Sequence, residues 1–262
     1  MVFLIVRDHG GDLGQWWRFA LLAENFSTST LRTVDGPLWS VIVEVQFYVL
    51  LPLIAAGVAW LARRRPRRAL MVLLALGALD YGFRRWAVHR DHHTAQLVLY
   101  SLPATLVFFV PGMVVALLRL EGQRRRWSVG ALASPGLWLL ASVPFWGLHF
   151  RDFSDWPAVV ASFLVVGACV LPLRQSLALR ALEWRPLALL GVASYSLYVW
   201  HEPIVHGLRD ATGWGYAPLL ALSLAVCAPL ALISYRVVEA PFLALRRRWA
   251  PEAAEQRPAG GS

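Results

Sequence analysis

The chain has 262 residues, 58% of them hydrophobic and 16% charged, and its net charge of +9 comes from arginine without a single lysine. Soluble domains carry roughly a quarter charged residues, so this composition belongs with polytopic membrane proteins, and the missing lysine excludes Schiff-base and P-loop mechanisms. The arginines fall between apolar runs, where they orient helices, and leave no basic-aromatic face of the kind that binds nucleic acid.

In chain order, Met1–Val6 is apolar but too short for a signal-peptide core, and Arg7-Asp8 ends it. Residues 7–37 are polar apart from Trp16-Trp17-Arg18-Phe19, which reads as an interfacial anchor. Seven spans are then expected: Leu38–Ala62, Arg67–Phe83, Ala95–Leu118, Ala131–Phe150, Pro157–Leu173, Leu187–Leu208 and Tyr216 to about Leu243. The second is short and carries Asp80, and the third holds Pro103 and Pro111 and should kink. Cys169 and Cys227 sit mid-run, where they read as small hydrophobes without metal-ligand neighbours. The Pro/Gly/Ala/Glu-rich stretch from Pro251 to Ser262 predicts disorder.

Arginine clusters follow the first, third, fifth and seventh spans, while the intervening loops carry fewer. The positive-inside rule then puts the C-terminus in the cytoplasm and the N-terminus outside. The expected fold is an all-α polytopic transmembrane bundle of about seven spans. Residues 1–37 form an extracytoplasmic segment, 38–245 the membrane domain, and 246–262 a disordered cytoplasmic tail.

The first span carries the most informative stretch, Gly36 to Pro52, with Glu44 about two turns inside its start and Trp39, Phe47 and Tyr48 around it. A carboxylate at that depth faces a partner or a water-filled cavity, or else it snorkels to an aromatic interfacial belt. Pro52, farther along, should kink the helix or free a carbonyl. The pattern Trp39-Ser40, Glu44, Phe47-Tyr48, Pro52 resembles the acyltransferase type 3 family. So do Leu190 to Pro203, which contains Ser194-Tyr195-Ser196-Leu197-Tyr198-Val199-Trp200-His201-Glu202-Pro203, and Ser234 to Phe242, which contains Tyr235-Arg236-Val237-Val238-Glu239. The three stretches stand in the family's order and span roughly Leu31 to Arg246.

That resemblance implies a membrane O-acyltransferase. It would move an acyl group, expected to be acetyl, from acyl-CoA to a hydroxyl of a glycan, a cell-wall component or a glycosylated small molecule. It implies acyl-CoA as co-substrate and no further cofactor. The family typically has ten spans, both ends in the cytoplasm and a catalytic histidine on the first span. An odd number of spans with the N-terminus outside therefore fits loss of the first three helices, with Met1–Val6 as the stub of the third. A misplaced start, a true truncation and a degenerate copy all fit, and a chain lacking those helices is expected to insert with little or no activity.

Acyl transfer needs a base and an oxyanion stabiliser in a dry site. Glu44 and His201 lie some six and seven residues below the outer ends of their oppositely running spans, roughly 9–10 Å deep at ~1.5 Å per residue. Both are therefore candidate catalytic residues, with a hydrogen-bonded core histidine as the plain alternative at His201. Trp39, Tyr48, Tyr195 and Tyr198 are candidates for acceptor binding or for helix packing, and His206 is expected at the interface. Arg236 either contacts the phosphates of acyl-CoA or pairs within its helix with Glu239. His89, Asp91, His92 and His93, flanked by arginine, read as a solvated loop, and no metal site is expected. No Gly-x-Ser-x-Gly elbow is present. The other class considered is a non-catalytic transport or export module with Glu44 and Asp80 lining a pathway.

Overall fold

A computed structural model of the chain describes residues 16–31, 36–125, 134–152, 154–171 and 177–249. Met1–Val6, expected to be the stub of a lost helix, and Pro251–Ser262, expected to be disordered, lie outside these residues. The described residues are helical and contain no strand. They divide between two compact units, Met1–Glu183 and Trp184–Ser262.

The first unit begins with α1 (Trp16–Ala20) and a 3-10 turn at Glu24–Phe26, followed by α2 (Leu38–Arg64) and α3 (Pro66–Val88). Pro66 stands at the start of α3, where its missing N–H costs nothing. The short α4 (His92–Leu99) starts at Asp91, whose carboxylate accepts from the Thr94 backbone N–H at 3.0 Å. Two 3-10 turns, Leu102–Ala104 and Leu106–Phe108, lead into α5 (Val110–Arg125). The expected third span is thus interrupted rather than kinked, because Pro103 and Pro111 each remove a backbone donor from the α-ladder. The unit closes with α6 (Pro135–Asp152), α7 (Asp155–Val170) and α8 (Leu177–Leu182).

Its interior is small. Ala69 and Leu73 of α3 pack against Val110, Val114 and Leu117 of α5, and a second cluster joins Val43 and Phe47 of α2 to Leu102. The α6–α7 pair is closest at Gly167, where an added Cβ would lie 2.7 Å from the Trp138 ring. Large apolar side chains such as Val49 and Leu53 are about 70% exposed along α2, the pattern expected of a surface that faces lipid.

The second unit comprises α9 (Arg185–Val192), α10 (Ser194–Thr212), α11 (Tyr216–Ser234), a π-helical turn at Tyr235–Glu239 and α12 (Ala240–Trp249). Gly213 closes α10 at φ +62°, a left-handed conformation that glycine adopts without steric cost, and the chain reverses into α11.

Among the described residues three helical stretches are long and apolar enough to cross a membrane: Leu38–Arg64, Leu106–Arg124 and Tyr216–Leu245. The other four expected spans are helical among the described residues but miss that standard, for separate reasons. The second carries Arg67, Arg68, Asp80, Arg84 and Arg85, α6 holds Pro135 and Pro144 and ends in His149, Arg151 and Asp152, α7 is only 16 residues long, and the sixth breaks at Ala193 between α9 and α10.

Candidate active site

In the first unit the candidate chemistry gathers around Glu44. Glu44 is half-buried on α2 and accepts a hydrogen bond from the Tyr48 hydroxyl one turn on. Tyr48 itself is exposed, so it steadies the carboxylate from the outer side of the helix. On the inner side Phe47 stacks on Phe109, with centroids 4.0 Å apart, and Trp39 meets Tyr100 edge-on at 4.6 Å. Buried Asn25 ties the entry to this helix by donating to the carbonyls of Trp39 and Tyr100, at 3.2 and 2.8 Å.

Four polar residues taken for loop, pathway or topology features have structural partners. Arg84 donates to Asp155 Oδ2 at 2.8 and 3.2 Å and to the carbonyls of Ala104 and Leu99 at 2.8 and 3.3 Å, and it lies over the Phe108 ring. Asp80 is buried and accepts from the Val107 backbone N–H at 2.8 Å, which fixes the second 3-10 turn. His93 bonds Thr28, while Asp91 caps α4, and the Thr94 N–H holds the Asp91 carboxyl below the ordinary range. No group of three or more His, Cys, Asp or Glu gathers as a metal site among the described residues.

In the second unit the residues centre on His201 of α10. Its Nδ1 lies within hydrogen-bond distance of the Tyr198 carbonyl. A carbonyl only accepts, so Nδ1 carries a proton, and in the neutral ring this leaves the lone pair on Nε2, the tautomer a general base requires. The His201 and Tyr198 rings are 5.4 Å apart, and both line a cavity of about 380 Å³ between α10 and α11. Ser194, Leu197 and Val205 continue that stripe on α10, and Leu220, Ser223, Leu224 and Cys227 face it from α11. Tyr195 is half exposed and does not line the cavity. Glu202 and His206 approach to 4.0 Å across one turn of α10.

The expected pairing of Arg236 with Glu239 is replaced by a different contact. Glu239 accepts from Ser196 Oγ of α10, and Ser234 Oγ lies 3.1 Å from the same hydroxyl. Both Arg236 and Glu239 sit in the π-helical turn, whose wider winding breaks the α-helical i,i+3 register on which the intrahelical pair depended. Arg236 is left exposed.

Glu44 and Tyr48 therefore meet, as do His201 and Tyr198, while Glu44 belongs to one unit and His201 to the other. Sequence reading passed over Ser223 and the Ser196–Glu239 contact. The four-residue spacing of Ser223 and Cys227 on an otherwise apolar helix was the available signal for the first. Nothing local marks the second, whose partners are 43 positions apart.

A family model described as an acyltransferase domain matches residues 1–235. The O-acetyltransferase OatA of Staphylococcus aureus is 24% identical over 242 residues, covering 87% of this chain and 39% of that protein. The putative peptidoglycan O-acetyltransferase YrhL of Bacillus subtilis is 23% identical over 248 residues, covering 87% of this chain and 38% of its own length. The exopolysaccharide production protein ExoZ of Rhizobium meliloti is 29% identical over 230 residues, covering 85% of this chain and 68% of that protein. The chain thus spans about two fifths of the length of the first two relatives. No solved structure matches it.

Proposed function

The chain belongs to the family defined by that acyltransferase domain, and from this premise we propose that it is the membrane part of an O-acyltransferase acting on a glycan. Relatives named as O-acetyltransferases of peptidoglycan, or as a protein of exopolysaccharide production, support a carbohydrate hydroxyl as acceptor and acetyl as the group moved. Acyl-CoA is the proposed donor, with the exposed Arg236 as a contact for its phosphates.

The observation that carries the reading is His201, a ring whose Nδ1 is occupied by the Tyr198 carbonyl and which lines a cavity. In the proposed step the acceptor hydroxyl attacks the thioester carbonyl, a C–O bond forms as the C–S bond breaks, and His201 Nε2 takes the hydroxyl proton. That proton then passes to the departing thiolate of CoA. General-base help of this kind is typically worth 10²–10⁴-fold. Within the first unit, Glu44, held by Tyr48, is proposed as a catalytic carboxylate with Trp39 and Tyr48 as sugar contacts; within the second, Tyr195 and Tyr198 are proposed as sugar contacts. The transport reading draws less support, because Asp80 bonds the Val107 N–H instead of lining a pathway.

The test is transfer of labelled acetyl from acetyl-CoA to a panel of peptidoglycan and exopolysaccharide fragments by the purified membrane protein. His201→Ala should lower turnover at least 100-fold. Transfer that is unchanged in His201→Ala refutes the assignment. The proposed orientation, N-terminus outside and C-terminus in the cytoplasm, is read by reporter fusions at Gly10 and after Trp249.

A further inference from the structure

We propose that the cavity between α10 and α11 is an acyl-chain pocket, sized for the hydrocarbon of an acyl thioester longer than acetyl, with Ser223 donating to the acyl carbonyl. This rests on the reading of His201 as the base of acyl transfer.

Ser223 supplies the first argument. Its side chain is buried, at 5% exposure, and its Oγ has no hydrogen-bond partner although it lines the cavity. A serine in a helix ordinarily bonds back to a carbonyl of the preceding turn, as Thr212 does with Leu208 at 2.8 Å. An unmade bond on a buried hydroxyl costs about 1–3 kcal/mol, so a bound acceptor has something to recover there.

The rest of the lining narrows what that acceptor is attached to. Leu197, Val205, Leu220, Leu224 and Cys227 are apolar, and no arginine, aspartate or glutamate contributes to the wall. Phosphate and free carboxylate groups would find no arginine there to pair with. An apolar chain ending in a carbonyl fits a wall that is largely greasy, with hydroxyls from Ser194, Tyr198 and Ser223 as its donors and Ser223 the buried one without a partner. The His201 ring lines the same wall, which puts the proposed base and the acyl chain in one pocket.

Size sets the chain length. A water molecule's share of liquid volume is about 30 Å³, and an acetyl group has roughly the bulk of two or three waters. A cavity of about 380 Å³ is several times larger. One wall is α11, part of the stretch Tyr216–Leu245 that is long and apolar enough to cross a membrane, so lipid is the expected route of entry for a hydrocarbon tail.

The experiment uses the full chain in phospholipid nanodiscs and a diazirine-tagged octanoyl-pantetheine thioester. Saturable labelling of the segment Tyr216–Ser234 is expected, displaced by untagged octanoyl-pantetheine and not by excess free octanoate. Ser223→Ala should weaken retention roughly tenfold. Leu224→Trp, at a half-exposed rim position, leaves the Ser223 hydroxyl in place and should abolish saturable labelling in protein that still elutes as folded. Uniform, non-displaceable labelling of the lipid-facing helices overturns the pocket, as does wild-type labelling in Leu224→Trp. Acetyl transfer to a glycan fragment is measured on the same samples. Transfer without saturable octanoyl labelling sinks the pocket alone. Saturable labelling with no transfer from any donor sinks the catalytic reading while the pocket stands.

Discussion

Replacing Arg84 with methionine keeps most of the aliphatic stem and deletes the guanidinium, and the structure sets the scale of the loss. Asp155, the ionic partner, has a side chain 39% exposed, so its carboxylate regains water and the pair itself is worth only about 0–1 kcal/mol. The carbonyl of Ala104 is different, because that residue is fully buried and receives a charged donor at 2.8 Å, a bond worth about 1.5–3 kcal/mol. The longer contact to Leu99, 3.3 Å, adds a fraction of that. Arg84→Met should therefore lose about 3 kcal/mol. Arg84→Lys should recover little, since one ammonium cannot reach acceptors on α4, the first 3-10 turn and α7 together. Equilibrium unfolding in mixed micelles, followed by tryptophan fluorescence, measures this. The loss should also reach the candidate site, because the braced segment packs Leu102 and Phe109 on Phe47, one turn from Glu44. A methionine variant within ~0.5 kcal/mol of wild type, about the scatter of ordinary surface substitutions, would refute the bracing argument.

Glu44→Gln preserves shape and removes charge, so turnover should fall by at least 100-fold while membrane insertion is unchanged. Tyr48→Phe, which removes the hydroxyl bonded to Glu44, should give a smaller loss, and parallel transfer assays on the two variants rank them. Gly167→Ala drives a methyl to 2.7 Å from the rigid Trp138 ring and should destabilise α6–α7 by about 1–3 kcal/mol, read in the same unfolding assay; Gly57→Ala, which meets nothing within 4 Å, is the control. Asp91 has a folded pKa below its unfolded value, so its capping of α4 is fully present above the unfolded pKa of about 3.9 and is lost as pH falls through the lower folded value. Amide exchange in the first turn of α4 should rise over that acid window in wild type, and Asp91→Ala should show the raised exchange already at neutral pH.

Class, membrane setting and family were legible in the residues themselves. Apolar runs with arginine between them need no partner to be recognised, because each reports on a local preference for lipid or water. The motifs around Glu44, His201 and Glu239 were readable for the same reason, being short and contiguous. The tautomer of His201 was nearly so, since the carbonyl that sets it lies three residues away. Tertiary structure decided the rest. Whether Arg84 orients a helix or braces three elements depends on Asp155, 71 positions away, and whether Glu239 meets Arg236 or Ser196 depends on a change in helical winding. The cavity beside His201 exists only because two stripes, one on α10 and one on α11, face each other across the turn at Gly213. Hydropathy sums over neighbours in the chain, whereas these outcomes are set by neighbours in space.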